Sequence, residues 1–226
     1  EAKKLPRFLK LSPELSADWI LLSSGLCVSY WEEKSFVLNN FNYSFKKGTF
    51  YCLVGPSGSG KSTLLKCFLG FIPYQSGEIR FGGALKSFSQ VSYVPQKVLL
   101  PPVTVAECIS YPSEDISEKN LSFSLEQVGM KSFVDSLEQG ASTLVRDHME
   151  TGFSGGQNQK IQLARIFYHQ PELILIDEGT SSLDSSSEKF VCENLKKLIK
   201  NSSSTIIFVT HSYQVMKYAD EIIHMR

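Results

Sequence analysis

Gly55, Gly60, Lys61 and Ser62 fall at the spacing G-x-x-x-x-G-K-[ST], with the apolar run "YCLV" before them and "TLLKCFLGF" after Lys61. A strand, a glycine-rich turn and a helix in that order form the context a phosphate-binding loop requires. Glycines let the backbone fold tightly enough for its N–H groups to face phosphate oxygens, and the helix start adds a favourable dipole. Pro56, Ser57, Gly58 and Ser59 complete the loop, and Thr63 continues it onto the helix. Lys61 can reach the outer phosphates, and the Ser62 hydroxyl can ligate magnesium. Asp177 and Glu178 follow the run "LILI", which puts them at the carboxyl end of a buried strand, where open parallel sheets hold their ligands. Two acids there call for a cation. Asp177 suits magnesium, directly or through water, and Glu178 suits a water that attacks the γ-phosphate. Acids also end strands simply because chains turn there; the phosphate loop is what makes the functional reading the stronger one.

A second glycine-paired stretch, "FSGGQNQK" at 153–160, also opens a helix. One nucleotide needs only one such cradle. Unpaired donors at a helix start favour an anion, and Gly155 and Gly156 have no side chains to block a close approach. The plainer alternative is a glycine turn that caps a helix.

The elements that must position these groups alternate. After "FSGGQ" a helix through Ile161, Ala164 and Phe167 leads to the strand "LILI", and a helix from Ser187 to Lys200 leads to the strand "TIIFV". Such alternation predicts a parallel sheet covered on both faces, an α/β fold of the P-loop NTPase kind. Residues 76–95 read as short β runs with glycine turns, and Pro112 to Asp135 as amphipathic helix, with Leu121, Leu125 and Val128 at one-turn spacing. Residues 1–16, charged and weakly periodic, read as a linker or entry segment, 17–226 as the domain, and about 97–165 as a helical subdomain within it. Serine clusters at 185–187 and 202–204 read as caps and loops.

Composition narrows the function further. The chain has 226 residues, 42% hydrophobic and 20% charged, which suits a single folded domain with a core. Lys plus Arg equals Asp plus Glu at 23 each, so no global basic field draws it to nucleic acid. Five cysteines without C-x-x-C spacing argue against a disulfide framework or structural zinc and for a reducing compartment. No apolar run approaches the roughly 18 residues of a membrane span. A start at Glu1 rather than methionine suggests a piece of a longer polypeptide.

Taken with Gln96 in "YVPQ", "FSGGQ" at 153–157, "LILIDEGTSSLD" at 173–184 and "VTH" ending at His211, the chain from about residue 18 resembles the ATP-binding domain of ABC transporters. The resemblance implies a mainly parallel core, an antiparallel β subdomain and a helical subdomain. It implies ATP and Mg²⁺ as ligands, hydrolysis of ATP, and two domains paired head to tail. Each ATP would lie between one copy's phosphate loop and the other copy's Ser154, Gly155, Gly156 and Gln157, with Leu183 and Asp184 in the loop that crosses to the partner site. Gln96 would touch magnesium or the attacking water, His211 the γ-phosphate, and Tyr30 the adenine, with neighbouring Trp31 an equal alternative. A transmembrane domain in the same polypeptide would complete an exporter at the cytoplasmic face of a membrane. The short tract from Gly77 to Gln96 resembles the branch of peroxisomal fatty-acyl and bacterial peptide or vitamin transporters. Departures are Phe153 for leucine, "NQK" for an arginine-ending continuation, and Gly179 for proline, the last expected to loosen the turn at Glu178. Competing classes are an ABC-type ATPase on DNA or ribosomes, a non-hydrolysing nucleotide sensor, and a P-loop kinase; the kinase leaves "SGGQ", Gln96 and His211 without a task.

Overall fold

The structure is a computed structural model that describes residues 10–11, 18–29, 36–82, 85, 87–145 and 152–226. A five-stranded, wholly parallel sheet is built from β4 (Phe50–Val54), β6 (Val91–Val94), β7 (Leu173–Asp177), β8 (Thr205–Val209) and β9 (Glu221–His224), in the order β6-β7-β8-β4-β9. β4, β7 and β8 are buried along their whole length because both faces of the sheet are covered. Period-two alternation divides their side chains between two cores. Phe50, Cys52, Ile174, Ile176, Ile206 and Phe208 face one, and Tyr51, Leu53, Leu173, Leu175, Ile207 and Val209 face the other.

The first core is closed by helices. Here α2 (Val105–Ser110), α3 (Glu118–Gln127), α4 (Lys131–Asp135), α5 (Gly155–His169) and α6 (Ser185–Ser202) contribute Ile109, Leu125, Val134, Ile161, Ala164, Phe167 and Leu195. The stretch read as helical and amphipathic buries Leu121, Leu125 and Val128, as its spacing predicts. It holds two helices, because the chain turns at Gly129 with φ +65° before α4 begins.

The second core packs α1 (Lys61–Phe68) against a separate sheet of β1 (Lys10–Leu11), β5 (Ser76–Phe81), β2 (Trp19–Val28) and β3 (Leu38–Lys46), in the order β1-β5-β2-β3. β2 runs antiparallel to both β3 and β5, while β1, which lies within the segment read as a linker, pairs in parallel with Arg80 and Phe81. The fold is thus the P-loop architecture expected: a parallel core, an antiparallel β unit and a group of helices. A small α7 (Tyr213–Met216) precedes β9. Among the described residues no helix is long and apolar enough to cross a membrane, and no cysteine is in a disulfide.

Candidate functional site

Parallel pairing brings the reactive groups together. Asp177 stands opposite Val209 at the carboxyl ends of β7 and β8, and the Glu178 N–H donates to the Val209 carbonyl at 3.0 Å. β4 runs beside β8 and delivers the phosphate loop to the same edge. Gly60, at φ +85°, is the N-cap of α1 and has no side chain to cap it, so the first N–H groups of that helix face the loop's cleft without a side-chain acceptor. The positive φ is what favours glycine there; a Cβ would also come within 3.0 Å of the Val37 carbonyl oxygen.

The cleft that results has a volume of ≈ 420 Å³ and is walled by Ser57, Gly58, Lys61, Ser62, Glu178 and His211, with Gln96, Gly60, Thr63 and Val37 completing it. Lys61 is buried, and its ammonium donates to the carbonyls of Gly55 at 2.9 Å and Pro56 at 2.7 Å and to Ser59 Oγ at 3.4 Å. At the floor, Ser62 Oγ donates to Asp177 Oδ1 at 2.8 Å, and the Tyr93 hydroxyl reaches Asp177 Oδ2 at 3.5 Å. Burial pushes the Asp177 carboxyl above its ordinary range, a push that the Ser62 hydrogen bond partly offsets. A cation at this point would favour the ionised form. At the rim, Gln96 Nε2 donates to Glu178 Oε2 at 2.9 Å, and His211 Nε2 lies 3.6 Å from Glu178 Oε1.

"SGGQ" builds a second cleft, of ≈ 370 Å³, lined by Ser154, Gly156, Gln157, Lys160, Ser182, Leu183 and Asp184. Not one of its lining residues is shared with the first. Ser154 and Gln157 form a capping box: Ser154 Oγ accepts from the Gln157 N–H at 3.2 Å, and Gln157 Oε1 accepts from the Ser154 N–H at 2.7 Å. That arrangement leaves the Ser154 hydroxyl hydrogen able to donate. Gly156 is pressed against the loop after β7, where a Cβ would sit 2.9 Å from the Ser182 carbonyl oxygen.

Residues 38–181, well over half of the 226, match the family described as ABC transporter. The chain belongs to the ABC transporter family. The ATP-dependent permease MDL1 of Candida albicans is 36% identical over 197 residues, 84% of this chain and 29% of that protein. The alpha-hemolysin translocation ATP-binding protein HlyB of Escherichia coli is 31% identical over 220 residues, 94% of this chain and 30% of the relative. The chain therefore spans less than a third of the length of these relatives. A solved structure of a bacterial Atm1-family ABC exporter with ATP bound superposes with a TM-score of 0.83 over 96% of this chain and 39% of that one; at 22% identity the likeness is one of fold.

Within this ABC transporter chain the geometry adds residues that sequence reasoning missed. Gln159, buried on α5, donates to Ser181 Oγ at 3.2 Å and accepts from the Ser182 N–H at 2.8 Å, tying the "SGGQ" helix to the loop after Glu178. Glu188 on α6 accepts from Thr180 and Ser212, and Tyr93 braces Asp177. None of these has a spacing signal: Gln159 follows a polar run, and Glu188 looks like a solvated helix charge. The cap of α6 is Asp184 rather than the serines at 185–187, because one carboxylate oxygen accepts from both the Ser186 and Ser187 N–H groups at 3.0 Å. Hydrogen bonds from those two serines hold the Asp184 carboxyl well below the usual carboxylate range. Phe153 is buried edge-on to the Phe133 ring at 5.8 Å, filling the space behind the "SGGQ" turn. Tyr30 and Trp31 lie outside the described residues.

Proposed function

We propose that this domain binds and hydrolyses ATP with Mg²⁺ and so drives an export-type ABC transporter, two copies closing head to tail on two nucleotides. The hydroxyl and carboxylate oxygens of Ser62 and Asp177 suit a hard divalent cation, and the open N-terminus of α1 suits phosphate. Ser62 and Asp177, with Gln96 in reach, would hold magnesium, whose charge would offset that of the phosphates. Lys61 would turn from the loop carbonyls to the outer phosphates, with Gly55, Pro56, Ser57, Gly58, Ser59, Gly60 and Thr63 as the cradle. Glu178 orients a water and takes up its proton as that oxygen bonds to the γ-phosphorus and the bond to the ADP oxygen breaks. His211 and Gln96, both beside the Glu178 carboxylate, hold it in line.

The observation that carries the paired state is the separation of the two clefts on one chain, which share no lining residue. A second copy would bring Ser154, Gly155, Gly156 and Gln157, with Asp184, to the γ-phosphate over Lys61. Supporting the transport reading, the named relatives include a permease and a toxin translocator. A groove of ≈ 960 Å³ among Tyr93, Leu100, Val103, Tyr111, Ile116 and Arg165 would receive a transmembrane domain, which would hold the chain at a membrane's cytoplasmic face. The unit proposed is residues 17–226, with 1–16 as its entry segment and about 97–165 as the helical subdomain. The placement beside the fatty-acyl and vitamin branch is a proposal that rests on the short tract before Gln96. Zero net charge gives no support to a nucleic-acid partner.

Phosphate release tests the chemistry. Glu178→Gln is expected to slow it by roughly 100-fold or more while ATP still binds, since general-base removal costs about 10²–10⁴ in rate. An unchanged rate would leave a nucleotide sensor as the better reading.

A further inference from the structure

We propose that Glu188 is a positioning residue for hydrolysis, its carboxylate clamping the loop that carries Glu178 to the loop that carries His211. This deepens the hydrolytic reading above and rests on it. Glu188 Oε1 accepts from Thr180 Oγ1 at 2.7 Å, and its Oε2 accepts from Ser212 Oγ at 2.7 Å. Both distances are those of charge-assisted hydrogen bonds. Thr180 lies two residues after Glu178 and is buried; Ser212 directly follows His211. One side chain thus grips both reacting groups through their neighbours without touching the cleft.

Such a grip answers a need. Glu178 has φ +51°, a left-handed conformation that a non-glycine residue keeps only when its surroundings fix it. On one side the Val209 carbonyl fixes it, through the Glu178 N–H. The loop after it has no regular structure before α6, and Thr180 to Glu188 is its link to that helix. His211 is half exposed at the end of β8 and is followed by a turn in which the Ser212 N–H donates to Thr210 Oγ1 at 2.9 Å; Glu188 anchors that turn from outside. Glu188 itself stands in the first turns of α6, where the helix dipole favours a carboxylate. With the clamp in place, the 3.6 Å spacing of His211 and Glu178 is set by the scaffold rather than by the ligand.

Steady-state phosphate release by the full 226-residue chain tests this through kcat and KM separately. Glu188→Ala is expected to lower kcat by about tenfold or more with KM for ATP changed less than about twofold, the signature of lost transition-state geometry rather than lost binding. Glu188→Gln should recover most of the rate, since its amide oxygen accepts from one hydroxyl and its NH₂ donates to the other. A kcat for Glu188→Ala within about twofold of wild type would overturn the proposal, as would Glu188→Gln falling as far as Glu188→Ala. If Glu188→Ala does not fold, Thr180→Val and Ser212→Ala each delete one arm; each is expected to lower kcat without raising KM, and an unchanged kcat in both would overturn the clamp. If the wild-type chain releases no phosphate, the hydrolytic reading fails by itself. The clamp is then judged by the imidazole NMR signals of His211, displaced in Glu188→Ala and restored in Glu188→Gln if it holds, unmoved in both if it does not.

Discussion

Gly179 fixes how Glu178 can be presented. A Cβ at this position would lie 2.7 Å from Ile176 Cγ2 and 2.8 Å from Val94 Cγ1, two branched core side chains with no room to yield. The glycine expected to loosen the turn is therefore the point where the turn is packed against the ends of β6 and β7. Gly179→Ala is expected to cost about 1–3 kcal/mol by overpacking and to slow phosphate release by shifting Glu178; a melting temperature and rate equal to wild type would contradict this. At this scale the sequence was most legible where chemistry constrains residue type: Lys61, Ser62, Asp177, Glu178, Gln96 and His211 converge on one cleft. Residues that act through ordinary hydrogen bonds, such as Glu188 and Gln159, carry no such mark, since a glutamate or glutamine on a helix satisfies many roles.

Among the elements, α5 and its partners set the geometry of the second cleft. Gln159 is 2% exposed and is the acceptor for the Ser182 N–H. Gln159→Ala should destabilise the fold by about 0.5–1.5 kcal/mol for each of the two hydrogen bonds lost, and a denaturation midpoint unchanged from wild type would count against the tie. At the other end of α5, burial and the neighbouring Arg165 hold the His169 imidazole below its ordinary value. Between that lowered value and about pH 6.5 the folded imidazole is the more often neutral one, and unfolding takes up a proton there. Stability from this group is present above that pH and falls as pH drops towards the lowered folded value. His169→Gln should accordingly flatten the loss of melting temperature between about pH 7 and about pH 5, and equal slopes would refute the assignment. β4, β7 and β8 were legible because both their faces are buried and their runs are almost continuously apolar. β2 and β3 were not: asparagines and serines interrupt their apolar pattern, and β-bulges break their register. The end of α3 escaped too, because the apolar spacing runs on through Val128 and only Gly129 marks the turn.

For the whole molecule, two clefts with no common lining are the arrangement that the proposed second copy would complete. The same polar ties run between them: Gln159 links the "SGGQ" helix to the loop after Glu178, and Glu188 links that loop to His211. The loops that line the two clefts are thus tied by side-chain hydrogen bonds within each chain. Nothing in the composition foretells this, because a half-site on a surface reads as a capped helix until a partner is placed on it. Sedimentation of Glu178→Gln with ATP and Mg²⁺ tests the shared site most directly. A dimer that forms only with ATP and is abolished by adding Ser154→Arg is the expected result. A protein that stays monomeric at high concentration, or a dimer indifferent to Ser154→Arg, would contradict it.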